Sequence, residues 1–281
     1  MTKNKLNFSC ADFTFPLLPH NKSLQLIKLL GIDAVDLGVF EGRSHLSPSE
    51  IAKNPIKAAN NLRDELKKLE LEPADVFLQT GPEPTIAAAN TPDTATRENN
   101  RYIFQKMLEF TDALGCKHIT GLPGVLHENV PFEEDWKKSC EETLWRIEKA
   151  KAHNITYAVE PHVGSILPNV QSVIKYIRDA PGTTLTLDYG HFIYQGEANE
   201  SIHTLIPFAS HFHARGGTKG QLQTTVKENS IDFKTIVSEF KRIGYKNWIC
   251  LEYVYIDWEG CNETDNLSET IRLRKLLQTV N

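Results

Sequence analysis

Residues 156–162 read TYAVEPH, a run of apolar and β-branched residues that ends in ionisable side chains. The same pattern recurs further along the chain, where residues 184–191 read TLTLDYGH and residues 211–215 read HFHAR. A fourth copy, ICLEY, occupies residues 249–253. Short apolar runs of this kind predict buried strands, and ionisable residues stand at or near the end of each.

Four more runs of the same type lie towards the amino terminus and complete a set of eight predicted strands. The segments between them show helical periodicity, as in the apolar stripe of Ile103, Met107, Phe110 and Leu114. Strands that alternate with helices predict parallel pairing through right-handed crossovers. The eight predicted strands are Leu6–Cys10, Ala34–Phe40, Ala74–Gln79, His118–Leu122, Thr156–His162, Thr184–Asp188, His211–Arg215 and Trp248–Tyr253.

Eight strand–helix units fit either a closed barrel or an open, doubly wound sheet. No glycine-rich nucleotide-binding motif follows a predicted strand, so the nucleotide-binding open sheets have no support. The length of 281 residues suits one α/β barrel, which typically has about 250. We therefore expect an α/β fold, a single (β/α)8 barrel domain over residues 1–281. Within it, residues 81–96 are expected to form a long loop, either an ordinary surface loop or a lid.

Composition narrows the classes of function. The net charge of −5 offers no basic surface for nucleic acid, and no apolar run is long enough to cross a membrane. The opening residues MTKNKLNFSC contain no apolar targeting segment. The five cysteines are scattered without metal-binding spacing, which predicts reduced thiols, two or three of them in the core. We expect a soluble, cytoplasmic protein without a nucleic-acid or membrane partner.

Four residues at the ends of consecutive predicted strands form the candidate site. They are Glu160, Asp188, His213 and Glu252. In parallel α/β folds the carboxyl ends of the strands meet at one rim, where three carboxylates would repel one another without a neutralising charge. We therefore predict one bound divalent metal ion. A site of three carboxylates and one imidazole favours Mn²⁺, Mg²⁺ or Co²⁺, and it can also bind Zn²⁺.

Two further histidines share strand faces with these residues. His162 lies two residues after Glu160, and His211 lies two residues before His213. Because strand side chains alternate, each pair points the same way. We predict that His162 and His211 bind substrate or orient a neighbouring ligand.

The ionisable residues occur in a characteristic order: Glu160, Asp188-x-x-His191, His211-x-His213 and Glu252. This order resembles that of the xylose isomerase-like barrel superfamily of sugar isomerases and epimerases, a TIM-barrel family. The motifs cover roughly residues 155–255, and looser matches at residues 31–36 and 113–115 extend the resemblance. The resemblance implies that the four candidate residues bind metal, that His191 and Arg215 bind substrate, and that the protein forms a homo-oligomer.

The expected activity is that of a metal-dependent sugar isomerase or epimerase in carbohydrate metabolism. Glu160 and Glu252 are the predicted catalytic residues. They would move a proton next to a carbonyl through an enediolate, one on each side of the substrate. The substrate is expected to be a small sugar or polyol without phosphate, since the sequence has no dedicated phosphate-binding loop.

Three other functions use the same fold. A dehydratase or lyase acting on an inosose, dehydroshikimate or a 3-keto-sugar would share the metal and the enediolate. A nuclease resembling the apurinic endonucleases is disfavoured, because the third and fourth predicted strands have no histidine at their outer ends, and position 211 is His where that branch has Asp. A non-catalytic sugar-binding barrel is disfavoured because all four predicted ligands are present.

Overall fold

The computed structural model describes residues 6–280. The first five residues, where the sequence predicts no targeting segment, lie outside the described part. The strands are β1 (Asn7–Ala11), β2 (Ala34–Phe40), β3 (Glu72–Gln79), β4 (His118–Gly121), β5 (Thr156–Val159), β6 (Thr184–Asp188), β7 (Ala209–Ala214), β8 (Gly216–Thr218), β9 (Gln221–Thr224) and β10 (Trp248–Leu251).

Eight of these strands form a closed parallel barrel. Their order is β1-β10-β7-β6-β5-β4-β3-β2, and the barrel closes where β1 pairs with β10. Strands β8 and β9 form a separate antiparallel hairpin that the sequence did not predict. The predicted (β/α)8 barrel is confirmed.

Helices flank the barrel. They are α1 (His20–Leu29), α2 (Pro48–Lys53), α3 (Pro55–Leu69), α4 (Thr94–Leu114), α5 (Phe132–Ala152), α6 (Val170–Asp179), α7 (Tyr189–Tyr194), α8 (Asn199–His203), α9 (Phe233–Ile243) and α10 (Asn266–Thr279). Short 3-10 helices cover Asp12–Thr14, Ile206–Phe208 and Trp258–Glu263. The predicted stripe of α4 is buried, which places the main apolar core between the barrel and its helices. Within the described residues, no helix combines the length and the apolar character that crossing a membrane requires.

All eight predicted strands are present, but several end earlier than the pattern indicates. The fifth was predicted to reach His162, yet β5 ends at Val159. Pro161 has no N–H to donate, so the ladder cannot continue through it. Glu160 still donates its N–H to the carbonyl of Gly121 at 3.0 Å. The candidate carboxylate therefore stands directly above the last paired residue of its strand.

The barrel interior below the candidate site is polar. The hydroxyls of Thr120 and Thr186 lie 2.6 Å apart, and Asp75 contacts Nδ1 of His118 at 2.6 Å. All four side chains belong to buried residues. Paired polar groups thus fill this level of the barrel, because a buried polar group is stable only with a hydrogen-bond partner.

The long loop after β3 is held in place by a buried asparagine. Asn90 donates to the carbonyl of Val125 at 2.7 Å and accepts from the N–H of Val125 at 3.0 Å. Because the side chain of Asn90 is fully buried, these bonds join the loop to the connection between β4 and α5. The loop is therefore fixed at Asn90, while residues 82–85 line the cavity at the mouth of the barrel. It ends earlier than predicted, because α4 begins at Thr94 with Asp93 as its cap.

The cysteines differ in one respect from expectation. All five are free, as predicted, but all five are buried rather than two or three. They are Cys10, Cys116, Cys140, Cys250 and Cys261.

Candidate functional site

The barrel brings the four predicted ligands to its carboxyl-terminal end. Asp188 is the last residue of β6 and His213 lies near the end of β7, while Glu160 and Glu252 follow β5 and β10. Each is at most 4 % exposed. Four consecutive barrel strands therefore each present one of these buried side chains to the same space.

Glu160 is the centre of this group. His213 Nδ1 lies 2.6 Å from Glu160 Oε1 and 3.2 Å from Glu252 Oε1. Ligand atoms of Glu160, His213 and Glu252 all fall within 4.8 Å of one another, and so do those of Glu160, Asp188 and His191. The two sets share Glu160, so the structure arranges the predicted ligands around it.

Asp188 also has protein partners. Arg215 Nη2 donates to Asp188 Oδ2 at 2.7 Å, and the N–H of Gly190 donates to Oδ1 at 2.7 Å. Although burial lowers the pKa of Arg215, the charge of Asp188 raises it above its usual range. Arg215 therefore stays charged and fixes the direction of the Asp188 carboxylate.

The remaining charges are poorly balanced. The pKa of Glu160 is raised to about 7: burial is the largest cause, the charge and hydrogen bond of His213 oppose it, and the charges of Glu252 and Asp188 add to it. Burial lowers the pKa of His213, but the charges of Glu252 and Glu160 outweigh this and hold it well above its usual range. Of the three carboxylates in this cluster, only that of Asp188 is paired with a permanent cation among the described residues, namely Arg215.

A divalent cation fits these residues. Glu252 Oε2 is buried and has no hydrogen-bond partner among the described residues. A buried carboxylate oxygen without a partner is costly, and a cation would satisfy it while balancing the excess negative charge. Three carboxylates and one imidazole match the donors that Mn²⁺ and Mg²⁺ accept.

Two predicted substrate-binding histidines face the site as neutral rings. Burial lowers the pKa of His162 to about 4, and burial together with the charge of Arg215 lowers that of His191 well below its usual range. His162 Nδ1 donates to the carbonyl of Val163 at 2.8 Å, which leaves Nε2 as an acceptor, and no described residue pairs with it. The N–H of Val163 donates to His191 Nδ1 at 3.2 Å, and His191 Nε2 lies 3.2 Å from Nη2 of Arg215.

His211 is placed differently from the other predicted substrate-binding residues. It is buried beneath the site, does not line the cavity at the barrel mouth, and its Nε2 lies 2.5 Å from Asp36 Oδ2. The same Asp36 oxygen lies 3.6 Å from His213 Nε2. This position favours a role for His211 in orienting His213 rather than in contacting substrate. It also places Asp36, to which the sequence analysis assigned no role, beside the site.

A cavity of about 560 Å³ opens above the cluster. Glu160, His162, His191, Arg215 and Glu252 line its inner end. Trp258, an aromatic residue after the eighth strand that the sequence offers as a wall of the pocket, also lines it. Other walls come from residues that the sequence analysis did not single out, among them Phe13, Phe40, Arg43, Phe77 and Gln79. Strand alternation could have identified Phe40, Phe77 and Gln79, which stand at inward positions near the ends of β2 and β3.

Comparisons with known proteins agree with this fold. A sequence profile of the xylose isomerase-like TIM barrel family matches residues 24–276. The sequence has no match among curated proteins.

Three solved structures show the likeness. D-psicose 3-epimerase from Clostridium cellulolyticum H10, solved with D-tagatose, is 13% identical with a TM-score of 0.77, covering 98% of this chain and 99% of its own. An L-ribulose 3-epimerase is 18% identical and has a TM-score of 0.73, and the match covers 98% of this chain and 96% of the epimerase. A probable 3-DHS dehydratase from Bacillus anthracis is 13% identical and has a TM-score of 0.69, and the match covers 98% of this chain and 100% of the dehydratase. At these identities the likeness establishes the fold.

Proposed function

Because the chain belongs to the xylose isomerase-like TIM barrel family, we propose that it is a divalent-metal-dependent sugar isomerase or epimerase. The observation that carries the proposal is the pair of buried carboxylates, Glu160 and Glu252, which flank His213 and line one cavity. Two carboxylates that face one substrate can remove a proton and return it.

The metal would be held by Glu160, Asp188, His213 and Glu252. When bound, it supplies Lewis-acid stabilisation of the negative charge that develops on substrate oxygen next to a carbonyl. The protein residues do the rest of the chemistry. One of Glu160 and Glu252 takes the proton from the carbon beside the carbonyl, and the other returns a proton to the enediolate.

Neighbouring side chains would hold the substrate between the two carboxylates. The free Nε2 of His162 can accept a hydrogen bond from a hydroxyl, and the ring of His191 lines the same end of the cavity beside Arg215. Arg215 is held by Asp188, yet its Nε has no partner among the described residues and remains able to donate. Orientation of this kind places the reacting carbon near both carboxylates.

The second candidate is a dehydratase or lyase on an inosose, dehydroshikimate or a 3-keto-sugar. It would share the same residues and the same enediolate, and it differs only in the loss of a β-hydroxyl or another leaving group. A nuclease resembling the apurinic endonucleases is less well supported. The strands that would need additional histidines end here in Gln79 and Gly121.

We further propose that residues 1–281 act as one catalytic domain in the cytoplasm. The family match to residues 24–276 and the five free cysteines support this proposal. The partner is a small sugar or polyol in carbohydrate metabolism.

Solvent exchange tests the proposed function. The protein is loaded with Mn²⁺ in D₂O and incubated with ketoses, inososes and keto-sugars, and proton NMR follows the C–H groups next to the carbonyl. We expect deuterium to enter one such position and Glu160→Gln to slow this entry at least about 100-fold, because general acid–base catalysis contributes roughly 10²–10⁴-fold. The product spectrum separates isomerase, epimerase and dehydratase.

The matched control is Glu133→Gln, which makes the same change at an exposed position in the first turn of α5. It should exchange deuterium at the wild-type rate. Circular dichroism checks that both variants fold. An active, metal-loaded Glu160→Gln variant would contradict the assignment of Glu160.

A further inference from the structure

The cavity above the metal-binding cluster extends well beyond the reacting groups. Its volume of about 560 Å³ is within the range of roughly 300–1,000 Å³ seen for pockets that hold drug-sized ligands. Glu160 and Glu252 occupy only its inner end. A single monosaccharide placed between them would leave much of the space unfilled.

One side of this space is an aromatic wall, formed by Phe13, Phe40 and Phe77. Phe77 begins the wall next to the site, with its ring centre 5.7 Å from that of His213. Phe40 follows at 5.1 Å from Phe77, and Phe13 lies 5.0 Å from Phe40, both in edge-to-face contact. A continuous apolar surface therefore leads outward from the metal-binding imidazole.

Further apolar side chains line the same cavity. Val254 packs in one cluster with the three phenyl rings, and Val163 and Ile256 pack against that cluster. Trp258 also lines the cavity; it is 40% exposed, and its ring lies 6.2 Å from that of His191. Hydroxyl groups placed against these surfaces would lose their hydrogen bonds to water without gaining new ones.

The outer end carries little net charge. Arg43 donates to Gln79 Oε1 at 2.9 Å and feels the opposite charge of Glu83. Among the described residues that line the cavity, Arg43 and Arg215 are the only permanent cations, and Arg215 is paired with Asp188. A phosphate in this cavity would therefore meet a single cation without an ion-pair partner among the described residues, Arg43, and the charge of Glu83 nearby would repel it.

We propose that the substrate is a keto-glycoside, a ring sugar that carries an apolar or aromatic substituent on its anomeric oxygen. This inference rests on the proposed function. The polar sugar ring lies between Glu160 and Glu252, and the substituent lies between the aromatic wall and Trp258. Because the anomeric carbon of a glycoside is locked as an acetal, the carbonyl needed for enediolate chemistry stands on another ring carbon.

Calorimetric titration with two matched ligands tests the proposal. The Mn²⁺-loaded protein is titrated with phenyl 3-keto-glucoside and with methyl 3-keto-glucoside, which differ only in the substituent. Complete burial of a phenyl-sized side chain contributes roughly 1.5–3 kcal/mol, so the phenyl compound should bind about 10- to 100-fold more tightly. Equal affinity for the two compounds would overturn the proposal.

Two aromatic residues of the same loop provide the matched variants. Trp258→Ala should remove most of the preference for the phenyl compound and leave the affinity for the methyl compound nearly unchanged. Tyr255→Ala is the control, since Tyr255 is similarly exposed, at 42%, but does not line the cavity. A preference that survives in Trp258→Ala would contradict the placement of the substituent.

Binding and turnover separate this inference from the proposed function. If the phenyl compound binds preferentially but no C–H next to its carbonyl exchanges with D₂O, the proposed function fails and the cavity assignment holds. If free ketoses exchange as fast as the phenyl compound and the two glycosides bind equally, the cavity assignment fails and the proposed function holds.

Discussion

At the scale of single residues, the site depends on how His213 is held. One ring nitrogen, Nδ1, faces Glu160 and Glu252, and the other, Nε2, lies 3.6 Å from Asp36 Oδ2. A histidine that binds metal through one nitrogen commonly donates its other N–H to a carboxylate, which fixes its orientation. Asp36, which also contacts His211, is placed to do this.

The role of Asp36 leads to a prediction about metal affinity. Asp36→Asn removes the charge that faces His213, so we expect Mn²⁺ to bind roughly 10- to 100-fold more weakly, as is typical when such a supporting carboxylate is lost. Calorimetry on metal-free protein measures this affinity directly. Asp75→Asn is the control, because Asp75 is also a buried, inward-facing aspartate but pairs with His118 instead.

The two variants distinguish a specific role from general damage to the barrel. Asp75→Asn should bind Mn²⁺ as the wild type does, even if it is less stable. Unchanged affinity in Asp36→Asn, or equal losses in both variants, would show that Asp36 does not orient His213.

Some candidate site residues could be picked out from the sequence for a simple reason. Glu160 and Asp188 interrupt apolar runs, and such breaks stand out in a linear pattern. The sequence could not indicate that Asp36 reaches His211, because the two residues are 175 positions apart and meet only across the closed barrel.

At the scale of structural elements, an irregularity in β7 organises the amino-terminal part of the barrel. The pairing of β6 with β7 shifts between Leu185 and Thr186. Ser210 lies in this irregular stretch, and its hydroxyl contacts His118 Nε2 at 2.9 Å, while His118 Nδ1 contacts Asp75 at 2.6 Å. The position of His118 at the start of its strand was predictable, but its partners depend on a register shift that periodicity does not reveal.

These contacts predict a role in stability rather than in catalysis. His118→Ala would leave Asp75 buried without its charged or hydrogen-bonded partner, and such losses typically cost about 3–5 kcal/mol of unfolding free energy. Ser210→Ala removes the hydrogen bonds of its hydroxyl with His118 and Thr184 and should cost about 1–3 kcal/mol. Chemical denaturation measures both values.

Metal binding gives the independent check on this assignment. Since residues at the amino-terminal face of such barrels serve stability and the active sites lie at the other face, both variants should bind Mn²⁺ with wild-type affinity under native conditions. A His118→Ala variant that is as stable as the wild type, or one that folds but no longer binds Mn²⁺, would contradict the role of His118 in stability.

At the scale of the whole molecule, the fold was more predictable than the cavity. The eight barrel strands follow from local periodicity, and eight repeats of one unit leave few topologies, whereas the β8–β9 hairpin was not predicted. The cavity walls come from separate segments: Phe13 from a short helix after β1, Phe77 from β3 and Trp258 from a short helix after β10. Their mutual placement depends on barrel closure, so the sequence pattern alone did not group them.

The most direct test of the account is a calorimetric titration of the metal-free protein with Mn²⁺. We predict one bound ion per chain. Glu160→Gln should weaken binding by more than about 100-fold, a larger effect than loss of a supporting residue, because Glu160 belongs to two of the three groups of potential ligand atoms among the described residues. Glu133→Gln should bind Mn²⁺ as the wild type does. If the folded protein binds no stoichiometric Mn²⁺, Mg²⁺, Co²⁺ or Zn²⁺, or if Glu160→Gln binds as tightly as the wild type, the assignment of this metal site is wrong.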